Sequence, residues 1–142
     1  MKQKFINAHM KAAEVYAELS SAKRLRVGAI IVKNDRIISI GYNGMPAGWD
    51  NNCEDIKVNN DGQYELRTKP EVLHAETNAI AKLAKSGESG EDATMFITHA
   101  PCLECAKLVY QLGINSVYYR DTYKNEDGLK FLEKCNIKVE KI

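Results

Sequence analysis

The sequence lacks a long apolar run. Its longest purely aliphatic stretch is Ala29-Ile30-Ile31-Val32, far short of the roughly 20 residues that cross a bilayer. The N-terminus, Met1-Lys2-Gln3-Lys4-Phe5-Ile6-Asn7, has no apolar core of the kind a secretory signal needs. Charge excess is missing as well: 20 Lys and Arg stand against 19 Asp and Glu. A protein that follows a nucleic-acid backbone carries a basic stripe, and only Lys23-Arg24-Leu25-Arg26 is locally basic. That cluster suits one small phosphate or is simply a solvated turn. No internal repeat or low-complexity tract is visible. These absences predict a cytoplasmic chain with no membrane and no nucleic-acid partner.

What is present is a globular composition. The 142 residues are 44% hydrophobic and 27% charged, enough for one domain over residues 1–142 with a real core. The four cysteines, Cys53, Cys102, Cys105 and Cys135, would form disulfides in a secreted protein. In an intracellular one they are free thiols or metal ligands.

Apolar residues at helical spacing predict a helix over residues 3–20. Residues 27–33 and 36–42 read as strands joined by a turn at Asn34-Asp35, hence an antiparallel hairpin. Residues 43–69 are rich in Gly, Asn, Asp and Pro and read as a long functional loop. Helices are predicted over 71–85, 102–112 and 125–134, and strands over 93–98, 116–119 and 137–139. This order predicts a three-layer α/β/α domain around a five-stranded mixed sheet.

Two short segments carry chemistry: His74-Ala75-Glu76 and Pro101-Cys102-Leu103-Glu104-Cys105. An imidazole and two thiolates are good zinc ligands. Cys102 and Cys105 are three residues apart and share a helix face, and a helix N-terminus favours an anionic thiolate. Three protein ligands leave a coordination position open for water, as in catalytic zinc sites. Glu76 follows His74 closely enough to take a proton from that water and pass it on. A fourth protein ligand would make the site structural. The candidates are His9, His99, Cys53 and Cys135, with His99 nearest in sequence to the cysteine pair.

H-x-E followed by P-C-x-x-C is the signature of zinc deaminases. With Arg26-Val27-Gly28-Ala29, Gly41-Tyr42-Asn43-Gly44-Met45-Pro46-Ala47-Gly48, His74-Ala75-Glu76-Thr77-Asn78-Ala79-Ile80 and Pro101-Cys102-Leu103-Glu104-Cys105-Ala106-Lys107, nearly the whole chain resembles the deoxycytidylate deaminase family. The resemblance implies a cytidine-deaminase-like fold. It implies hydrolysis of dCMP to dUMP and ammonia, feeding thymidylate synthesis, with one catalytic Zn²⁺ per chain held by His74, Cys102 and Cys105. Glu76 would shuttle protons. The Ala75 backbone N–H would bind the pyrimidine carbonyl, Asn43 the sugar hydroxyl, and Tyr123 would line the nucleotide pocket. Asn78 would hold the helix start and pocket loop. Arg24 or Arg26 would bind the phosphate.

The resemblance also implies a homo-hexamer activated by dCTP, which would bring Mg²⁺, and inhibited by dTTP. Gly44, Met45, Pro46 and Gly48 would belong to that allosteric region. Some relatives hold a second zinc through extra Cys and His in the long loop. Here residues 51–69 contain only Cys53 and no His, so none is predicted. The alternatives are deamination of dCTP, or of both nucleotides, a nucleic-acid-editing deaminase, and a zinc-stabilised binding module without catalysis. Glu76 speaks against the last, since a structural zinc has no use for it.

Overall fold

The structure is a computed structural model that describes residues 1–142. It contains α1 (Gln3–Ala17), β1 (Gly28–Lys33), β2 (Arg36–Tyr42), β3 (Glu54–Val58), β4 (Tyr64–Thr68), α2 (Ala75–Ala84), β5 (Thr94–His99), α3 (Leu103–Leu112), β6 (Ser116–Asp121), α4 (Asp127–Lys134) and β7 (Lys138–Lys141). Five strands form one mixed sheet in the order β2-β1-β5-β6-β7. β1 pairs antiparallel with both β2 and β5, while β5–β6 and β6–β7 are parallel. The parallel pairs are those joined through α3 and α4, as a crossover requires.

The turn between β1 and β2 has both Asn34 and Asp35 left-handed, at φ 51° and 58°. Asn and Asp tolerate that region better than other side chains, and such a turn matches the twist of the hairpin strands. Alternation along the central strands then feeds two cores. Ile30, Val32, Phe96 and Tyr118 face α1, through Ile6, Met10 and Ala13. Ala29, Ile31, Met95, Ile97 and Val117 face the opposite way, onto Ala79 and Leu83 of α2, Val109 of α3 and Leu132 of α4. The sheet is thus covered on both sides, giving the three layers expected. No helix is long and apolar enough to cross a membrane.

Two close approaches set the site. α2 lies directly on β2, where a Cβ on Gly41 would stand 2.6 Å from the Ala79 nitrogen. Ser39 Oγ donates to the Ala79 carbonyl at 2.6 Å, fastening the same contact.

The long segment after β2 differs from expectation. It is not without regular structure: β3 and β4 form a separate two-stranded hairpin within it. Its apolar residues Ile56, Val58, Tyr64 and Leu66 are exposed, so it adds no side chain to the core that strand patterning tracks. The helix predicted from residue 71 begins at Ala75 instead. Gly44 and Leu73 exchange backbone hydrogen bonds of 3.1 and 2.8 Å, and this bridge keeps Leu73 extended.

Candidate metal centre and adjoining pocket

His74 and Cys102 occupy equivalent places. Each is the residue before a helix, extended at ψ 155° and 169°, and neither side chain caps its helix. The N-termini of α2 and α3 converge, so both side chains point to one spot. Cys105 joins them from the first turn of α3. The His74 Nδ1 lies 3.3 Å from Cys105 Sγ and 3.7 Å from Cys102 Sγ. All three potential ligand atoms fall within 4.8 Å of one another.

This arrangement fits a zinc ion. With Zn–N of about 2.1 Å and Zn–S of about 2.3 Å, tetrahedral geometry separates nitrogen from sulfur by about 3.6 Å. The two observed separations bracket that value. No other cluster of three His, Cys, Asp or Glu ligands exists in the chain. His99 is engaged elsewhere, with Nδ1 3.3 Å from Thr98 Oγ1 and Nε2 3.3 Å from Asp121 Oδ2. His9 packs against Phe96, Cys53 is buried with Ala22 and Val72, and Cys135 follows α4. The cluster therefore offers three potential protein ligands, not four.

Electrostatics mark the same spot. A hydrogen bond with Cys105, and then one with the His74 ring, draws the Cys102 thiol down to about 4. That contact with Cys102, together with burial, pushes Cys105 upward. The His74 ring is raised, chiefly by its hydrogen bond with Cys102. Glu76 is only 4% exposed, and burial lifts its carboxyl to about 7 against the pull of its own backbone N–H and of His74. A buried carboxyl beside three metal-binding side chains is the kind of perturbed group that marks a reaction site.

A cavity of about 160 Å³ opens beside this cluster. That is below the range of about 300 Å³ and more typical of drug-sized ligands. His74, Ala75, Glu76 and Cys102 form one wall, and Asn43, Arg24 and Tyr123 also line it. The Asn43 side chain is buried and ties down the chain opposite. Its Oδ1 accepts from Val27 N–H at 2.9 Å and its Nδ2 donates to the Leu25 carbonyl at 2.8 Å. Asn78 Nδ2 donates to the Tyr42 carbonyl at 2.8 Å, holding the end of β2 against the start of α2.

Not every sequence candidate comes to the cavity. Arg26 is not among its lining residues, and its Nε donates to the Ala22 carbonyl at 3.2 Å. Gly44, Met45, Pro46 and Gly48 also lie outside the lining. Met45 packs on the cluster of Ala22, Cys53 and Val72. Conversely, Leu25, Val27, Thr68, Val72, His99 and Ala100 line the cavity and were not singled out as its lining. The apolar ones carry no chemical signature in a sequence. His99 could have been noticed as a histidine at the end of a strand just before the Cys pair. A second, outer pocket continues the mouth, lined by Arg24, His99, Asp121, Tyr123 and Lys124 among others.

Comparison with known proteins points the same way. Residues 3–121 match the cytidine and deoxycytidylate deaminase zinc-binding region. The deoxycytidylate deaminase of Enterobacteria phage T4 is 34% identical over 84% of this chain and 79% of its own length. The human deoxycytidylate deaminase is 38% identical over 83% of this chain and 66% of its own. Among solved structures, the dCMP deaminase of cyanophage S-TIM5, in complex with dCMP and dUMP, superposes with a TM-score of 0.89. It is 44% identical and covers 100% of this chain and 99% of its own. A tRNA:A34 deaminase structure shares the fold, with a TM-score of 0.62, at 20% identity.

Proposed function

This chain belongs to the cytidine and deoxycytidylate deaminase family, and from that premise we propose how its residues carry out zinc-dependent hydrolysis of dCMP to dUMP and ammonia. The single observation that carries the reading is the meeting of two helix starts. It gathers His74, Cys102 and Cys105 around one point and sets the buried Glu76 beside them at the wall of the cavity.

His74, Cys102 and Cys105 would hold one zinc ion, which when bound would lower the pKa of a water to about 7 and so supply the nucleophile. Glu76 moves the protons. Its carboxylate takes one proton from the attacking water and gives it to the ring nitrogen beside the amino-bearing carbon, as the water oxygen bonds to that carbon. It then carries the oxygen's remaining proton to the amine, whose C–N bond breaks so that it leaves as ammonia. The first N–H groups of a helix have no partner within it, and that of Ala75 faces the pyrimidine carbonyl. Asn43 keeps one N–H and one lone pair beyond its two backbone bonds, and these meet the sugar hydroxyl. Tyr123 and Arg24 stand at the mouth, where Arg24 meets the phosphate with Lys124 beside it.

Regulation and assembly belong to the same proposal. Gly44, Met45, Pro46 and Gly48 follow directly on Asn43, and a side chain added at Gly44 or Gly48 would meet nothing. That openness suits a nucleoside triphosphate effector, dCTP with Mg²⁺ or dTTP. The exposed Trp49, Ile56, Val58 and Tyr64 suit burial in a homo-hexamer. A cytoplasmic location suits a free-nucleotide substrate.

Loss of cytosine absorbance tests this, with dCMP, CMP, dCTP and deoxycytidine offered separately, with and without dCTP as effector. Preferred turnover of dCMP supports the reading, and stimulation by dCTP supports the regulatory part. Turnover of dCTP alone moves the substrate, and no turnover with zinc bound refutes the assignment.

A further inference from the structure

Glu54 is a buried carboxylate that the chemistry above does not use. It is 4% exposed, yet no Lys, Arg or His lies within ion-pair distance of it. Burying a charge costs free energy unless hydrogen bonds replace the lost water. Here the backbone replaces it. Lys23 N–H donates to Oε1 at 3.2 Å and to Oε2 at 3.0 Å, and Arg24 N–H donates to Oε2 at 3.1 Å. Successive N–H groups make a small anion-binding concavity, and the chain fills this one with its own side chain.

The placement matters because of what the held segment carries. Glu54 grips residues 23–24, and Asn43 grips Leu25 and Val27. The short stretch bearing Arg24 is thus pinned from both sides, while the Arg24 side chain itself is exposed and lines both the cavity and its outer continuation. Glu54 also opens β3 and pairs with Thr68 of β4, which lines the cavity. We propose that Glu54 is a positioning residue for substrate phosphate: it fixes the Lys23–Arg24 backbone so that the Arg24 guanidinium is already in place at the mouth. Ordering a long side chain or its loop on binding costs affinity, and a pre-set one avoids that cost. The proposal rests on the assignment of Arg24 as a phosphate donor.

Glu54→Gln keeps the shape but removes the charge and replaces one acceptor oxygen by an N–H₂ group, which faces the Lys23 N–H donor in either orientation of the amide. The zinc-loaded enzyme should keep its zinc, and kcat should stay within about twofold. KM for dCMP and the inhibition constant of the product dUMP should each rise about tenfold, in line with a lost charged hydrogen bond. Inhibition by deoxyuridine, which has no phosphate, should not change. Glu54→Asp retains the anion and should fall between, which guards against a Gln variant that fails to fold. In the double variant with Arg24→Ala, the Glu54 change should add nothing.

Equal weakening of dUMP and deoxyuridine, or a fall in kcat with KM unchanged, would make Glu54 a plain structural staple and overturn the proposal. If Arg24→Ala raises KM and Glu54→Gln does not, only the positioning role falls. If Arg24→Ala leaves KM unchanged, the phosphate assignment fails and takes this proposal with it.

Discussion

Gly128→Ala offers a test in which two physical effects have opposite signs. Gly128 sits near the start of α4 and is buried. In a helix, Ala is better than Gly by about 0.5–1 kcal/mol, so propensity alone predicts a more stable protein. The structure predicts the reverse. A Cβ at this position would stand 2.9 Å from both the carbonyl carbon and oxygen of Cys102, and closer still to the Pro101 oxygen. These are backbone atoms and cannot swing aside as a side chain can. Forcing a methyl group into such a contact costs about 1–3 kcal/mol, and the rigidity of the neighbour puts the cost toward the upper end. After the propensity gain, about 1–2 kcal/mol of net destabilisation remains, or a Tm lower by roughly 3–8 °C for a chain of this size. Because the displaced peptide carries Cys102, a proposed zinc ligand, metal affinity should fall too. The drop in Tm should therefore be larger with zinc bound than after chelation. Thermal melts in both states, with a competition titration against a coloured chelator, read all of this. A variant that melts higher than the parent and binds zinc as tightly would refute the claim that α4 seats Cys102.

The remaining predictions concern the metal and the proton. Glu76→Gln should keep one zinc per chain, because Glu76 is not in the ligand set, while kcat falls by about 10²- to 10⁴-fold. A zinc-loaded variant with full turnover would remove Glu76 from its role. Cys102→Ser should lower zinc content measured by metal analysis, since it takes away one of three ligands. Full occupancy in that variant would count against the site.

Much of the fold was legible because the core strands obey simple periods. Residues 36–42 were readable to the residue, since Asn34-Asp35 supplies the turn and alternation supplies the strand. The β3–β4 hairpin was harder to read for a physical reason. Its strands pack on no layer of the core, and Glu54, Asp55, Lys57, Glu65 and Arg67 dilute the apolar signal. A signal was present nonetheless: Ile56 and Val58, then Tyr64 and Leu66, alternate on either side of an Asn-Asn-Asp-Gly turn. The cavity wall was legible only at its polar members. Leu25, Val27 and Val72 are ordinary apolar residues until the fold brings them beside Glu76.

The start of α2 shows why the sequence misleads where the chemistry is. Helices prefer Ser, Thr, Asp or Asn at the residue before the first turn, and losing such a cap costs about 1 kcal/mol. This chain puts His74 and Cys102 there, and neither forms a cap. Cap rules therefore look elsewhere and place the helix start too early, at the Pro70-Glu71 signal. Yet the same breach is what makes the site. A Ser at either place would turn back onto its own helix, whereas His74 and Cys102 point away, toward each other and Cys105. No cap from His74 covers the first turn of α2, and two helix N-termini aimed at one point favour the thiolate that a metal needs. Local stability is given up at two adjoining positions, and a cluster of three potential metal ligands is what the chain obtains there.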